Sequence, residues 1–128
     1  MVLWRIISTM PAADNFSVAG AALAAREIGY TKVADLIVDE RLSPERIVRL
    51  FSTSASKTAK GDATFVVLVG SIARYCAGSQ GWSPEPETSL AHALGGRSDF
   101  ARATDEAARF VADHWPEIEA MAEARAAA

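Results

Sequence analysis

Phe16-Ser17-Val18-Ala19-Gly20-Ala21-Ala22-Leu23-Ala24-Ala25-Arg26-Glu27-Ile28-Gly29-Tyr30 is the stretch whose reading decides the fold. Phe16, Ala19, Gly20, Leu23 and Ala24 recur at helical spacing, and the charges of Arg26 and Glu27 are held back to the last turn. Asp14 or Asn15 offers a short side-chain acceptor to a first-turn amide that has no helical partner. Gly29 stands where a helix commonly leaves through a left-handed residue. The spacing predicts a helix from about Asn15 to Ile28, apolar on almost every side. Such a helix belongs at the centre of a bundle, with its Gly and Ala letting neighbours approach closely.

Upstream, Val2 to Ile7 is a short apolar segment, a strand or the first turns of a helix, closed by Pro11. Downstream, Lys32 to Val38 carries Val33, Leu36, Ile37 and Val38, β-branched enough to predict a short strand. No second strong strand signal accompanies it, which excludes a large sheet. Ser43-Pro44-Glu45 is a helix start: a capping hydroxyl, then Pro at the first position, where its missing amide costs nothing. Ile47, Val48, Leu50 and Phe51 ride on that helix.

Ser52 to Gly61 lacks apolar periodicity and predicts a mobile surface loop, with Lys57 and Lys60 solvated rather than phosphate-binding. Asp62 to Ala77 fits helix or strand by pattern; its length favours helix, and Gly78 ends it. Ser79 to Glu87, with Pro84 and Pro86, reads as a loop, and Thr88 to Leu94 as a short helix stopped by Gly95-Gly96. Ser98 then caps the clearest amphipathic helix. Phe100, Ala103, Ala107, Phe110 and Val111 form its inner stripe; Arg102, Asp105, Glu106, Arg109 and Asp113 form its wet face. Pro116 cannot donate a helical hydrogen bond and restricts Trp115, so a kink or break belongs there. Ile118, Met121 and Ala122 resume the apolar face.

A chain of 128 residues, half of them hydrophobic, suits one domain spanning residues 1–128 with a real core. The predicted class is mainly α: a compact helical bundle with at most a small β element. A net charge of −3 with no clustered basic footprint argues against nucleic acid. Cys76 is the only cysteine, which fits a reducing, cytoplasmic setting. No apolar run approaches the roughly 20 residues that span a bilayer.

The opening stretch resembles the active-site helix of the FtsH-type zinc metallopeptidases. That family carries His-Glu-Ala-Gly-His, followed by a Gly-aromatic pair. Ser17-Val18-Ala19-Gly20-Ala21 falls on the five motif positions, and Gly29-Tyr30 arrives at the family spacing. Ser17 and Ala21 stand where the zinc-binding histidines would be, and Val18 where the catalytic glutamate would be. A second match runs Gly96-Arg97-Ser98-Asp99-Phe100-Ala101-Arg102-Ala103-Thr104, then Ala107 and Phe110-Val111. In the family the Asp of this helix start is the third zinc ligand, and Asp99 occupies its place. His114 to Ala122 resembles the terminal helix. Gly70-Ser71-Ile72-Ala73-Arg74 is set against a Gly-rich Ala-Ala-Glu segment, with Arg74 in place of the Glu. The likeness covers about half the chain, and it supports a small β element at Lys32 to Val38. The family's enzymes usually add a membrane anchor and an ATPase module; the resemblance here is to the peptidase module alone.

Catalytic zinc needs three protein ligands and an open fourth position. Alanine has no donor atom, a neutral serine hydroxyl is a poor ligand, and Asp99 alone would hold no metal; its simpler role is to stabilise a helix N-terminus. The expectation is therefore no zinc, no other cofactor and no catalytic residue. His92 and His114 belong to no metal pattern, Cys76 reads as an inert small hydrophobe, and no nucleophile-base-acid set can be assembled. Trp82, Trp115 and His114 are the candidate binding residues, because Trp is enriched at interfaces, with packing the competing role for each. The resemblance implies a silent module that binds a protein or peptide in the groove active enzymes use for substrate. Two alternatives stand beside it: a peptidase or hydrolase with relocated chemistry, and an unrelated helical structural or oligomerising protein.

Overall fold

In the computed structural model, which describes residues 13–52, 59–78 and 97–127, the alanine-rich stretch forms helix α1, Ala13–Glu27. Phe16, Val18, Ala19, Ala21, Ala22, Leu23, Ala24 and Ala25 are all buried, which leaves little of its circumference for water, as in a helix enclosed by others. The chain turns out of it at Gly29, whose φ is +96°. Tyr30 N–H donates to the Ala25 carbonyl over 2.8 Å and Gly29 N–H to that of Arg26 over 3.1 Å. These are the paired bonds of a Schellman ending. Asp14 and Asn15 lie inside the first turn instead of capping it.

The segment expected as a strand is helical. Helix α2 runs Thr31–Glu40, so Lys32 to Val38 contributes no β element, and no strand occurs among the described residues. Tyr30, Val33 and Ala34, then Ile37 and Val38, fall one and two helical turns apart and face inward; Lys32, Asp35, Leu36, Asp39 and Glu40 face out. Ala34 and Ile37 are wholly buried. β-Branched content expresses a fit to a half-buried pleated surface; with no partner strand, burial of one helical stripe decides. Arg41, with φ 51°, ends α2 in the left-handed conformation.

Helix α3, Pro44–Ser52, starts as the sequence predicts: Ser43 Oγ accepts the Arg46 N–H over 3.4 Å. Ile47 and Phe51 are its buried residues. Helix α4, Ala59–Cys76, confirms the helical reading of the second apolar stretch but begins before Asp62. The expected loop from Ser52 to Gly61 is thus helical at both ends, and residues 53–58 lie outside the described residues. Gly78, φ +74°, follows α4 as predicted.

Helix α5, Arg97–Asp113, takes in Ser98 rather than starting after it. Its predicted polar residues Arg102, Asp105, Glu106, Arg109 and Asp113 are exposed, and Ala107, Phe110 and Val111 are buried. The expected break falls at His114, and α6 runs Trp115–Ala127 with Ile118 and Ala122 inward. Pro116 occupies the first turn of α6, where its absent N–H leaves no bond unmade.

The described residues therefore form a compact bundle of six helices. α1 packs most extensively on α4 and also on α2 and α6, while α4 carries α3 and α5 on its remaining sides. The centre is a helix pair, not the single helix expected from sequence. The readings of Val2 to Ile7, Trp82, Thr88 to Leu94 and His92 fall outside the described residues.

Candidate functional site

The positions that the resemblance assigns to zinc ligands lie in the seam between α1 and α4. A side chain at Gly70 would place its Cβ 3.0 Å from the Ser17 carbonyl oxygen and 3.3 Å from both Ser17 Oγ and Ala21 Cβ. On the facing helix, a Cβ at Gly20 would meet Ala73 Cβ at 2.9 Å and the Val69 carbonyl oxygen at 3.3 Å. Each glycine is thus a window that admits the other helix's backbone. Ser17 and Ala21 share one helical face one turn apart, and that face is filled by α4. Val18, one position round, is buried in the core.

Polar contacts fix the two ends of this seam. Tyr30 Oη donates to Asp62 Oδ2 over 2.6 Å, where α1 ends and α4 begins. The Asp62 carboxylate also sits in the first turn of α4, where the helix dipole favours negative charge. At the other end Arg74 pairs with Asp14 across 3.1 Å. Because Asp14 is 64% exposed, solvent screens that pair and its contribution is at most about 1 kcal/mol. The two pins join the end of α1 to the start of α4 and the reverse, so the helices run antiparallel. Beside them, Arg41 donates to Asn15 Oδ1 over 2.8 Å, tying the end of α2 to the first turn of α1. Asn15 is buried, and this bond supplies the partner a buried amide needs.

Two segments matched by the resemblance do meet: Ser17 and Ala21 touch Gly70, and Arg74 lies further along the same α4 seam. The third segment is on α5, which packs against α4. Asp99 is in the first turn of α5, and its side chain lies outside the described residues. A zinc ion does not fit the α1 face: it offers no imidazole, and α4 backbone occupies the space one would need. Among the described residues no group of three or more His, Cys, Asp and Glu side chains is placed to hold a metal ion. No described helix is long and apolar enough to cross a membrane.

The candidate binding residues Trp115 and His114 form an aromatic elbow at the α5–α6 break. Trp115 stacks on Phe16 of α1 with centroids 5.3 Å apart and an interplanar angle of 15°. His114 stacks on Phe110 at 4.0 Å, and Phe110 meets Phe65 of α4 edge-on at 5.5 Å. His114 Nδ1 lies 3.0 Å from the Phe110 carbonyl; a carbonyl only accepts, so Nδ1 is the donor in this contact. Both residues are half-buried rather than enclosed in the core. Cys76 is exposed on the last turn of α4, not packed as a small hydrophobe.

Sequence reasoning missed Gly70, the Tyr30–Asp62 pin and the Arg41–Asn15 bond. For Gly70 a signal existed: Gly70 and Ala73, three residues apart, put two small residues on one helical face, as Gly20 and Ala24 do four apart. No protein-family model, curated protein or solved structure matches the chain.

Proposed function

We propose that this chain is a catalytically silent relative of the FtsH-type peptidase module and acts by binding a protein or peptide in a reducing, cytoplasmic setting. The observation that carries the reading is the closed seam: the face bearing Ser17 and Ala21 is packed against Gly70 at 3.0–3.3 Å from a Cβ there. A face consumed by helix packing cannot present a water-activating metal to a substrate, so the chemistry of the resembled family has no place on it. The partner then engages another surface, and the half-buried residues Trp115 and His114 at the elbow are the assigned contacts.

Purified protein tests this directly. Elemental analysis is expected to find zinc well below one per chain, and mixed peptide substrates should survive incubation. Screening against a displayed peptide library should return a saturable binding class that His114→Ala weakens at a temperature where circular dichroism shows the variant still fully folded. Stoichiometric zinc or zinc-dependent cleavage would overturn the silent reading. Failure to select any peptide would remove the binding role and leave a structural helical protein.

A further inference from the structure

We draw no further inference here: the strongest candidate, the solvent-facing last turn of α4 where Tyr75 is 64% exposed beside the exposed thiol of Cys76, is an apolar patch with a lone cysteine, and nothing in the structure shows what covers it.

Discussion

Between α1 and α4, Gly20 faces Ala73 and Gly70 faces Ser17 with no room for a further side chain, whereas at the α5–α6 elbow rings meet rings: Phe16 with Trp115, Phe65 with Phe110, and Phe110 with His114. The first region packs by leaving side chains out and the second by filling space with large ones. Added atoms should therefore damage the seam, and removed atoms should damage the elbow. The difference also separates the two sets of candidate functional residues. Those on the seam are packed against a facing helix; those on the elbow are half-buried at its edge.

The comparison is most severely strained by rebuilding the zinc motif. Ser17→His, Val18→Glu and Ala21→His together would drive two imidazoles into the α4 backbone and place a carboxylate at a buried position. The combined cost is expected to reach about 4 kcal/mol or more, from overpacking and from an unpaired buried charge. Chemical denaturation and zinc titration report on it together: a folded variant that gains tight zinc binding would show that the seam opens readily.

Next comes truncation at the elbow. Phe110→Ala removes a buried ring with two aromatic partners and should cost about 3–5 kcal/mol. A denaturant midpoint close to that of the parent would mean that the elbow is not part of the cooperative core. Gly20→Leu probes the seam alone. Leucine improves helix propensity, yet its Cβ would begin 2.9 Å from Ala73 Cβ, so a net loss of about 1–3 kcal/mol is expected. A gain in stability would abolish the distinction between the two regions. The smallest effect belongs to Tyr30→Phe, which keeps the ring on Phe51 and deletes only the hydroxyl bonded to Asp62. Roughly 1–2 kcal/mol should be lost, measurable as a shift in thermal midpoint; no shift would mark that pin as incidental.

Local punctuation was legible in the sequence. Gly29 and Gly78 turn with positive φ where they were placed, Ser43-Pro44 opens α3, and Pro116 marks the α5–α6 break. These features depend on backbone conformation within a few residues, which a sequence carries directly. α2 was misread because its β-branched residues also satisfy a helical stripe, and only the surrounding core chooses between the two. Asp14 and Asn15 were misread because a capping residue and a cross-helix partner are the same residue types. What distinguishes them is Arg74 and Arg41, far away along the chain. For the site, the shared face of Ser17 and Ala21 followed from helical spacing, but its burial by Gly70 did not.

The pins at the two ends of the α1–α4 pair set its register. Sliding α1 by one turn, about 5.4 Å, would break Tyr30–Asp62 and Asp14–Arg74 in a single displacement and move Gly20 and Gly70 away from the backbone carbonyls they admit. Both pins are lost in the same slide, so the pair opens as a unit. In deuterated solvent the central amides of α1 and α4 should therefore exchange with a common opening free energy and a common denaturant dependence, while the exposed last turn of α4 exchanges earlier.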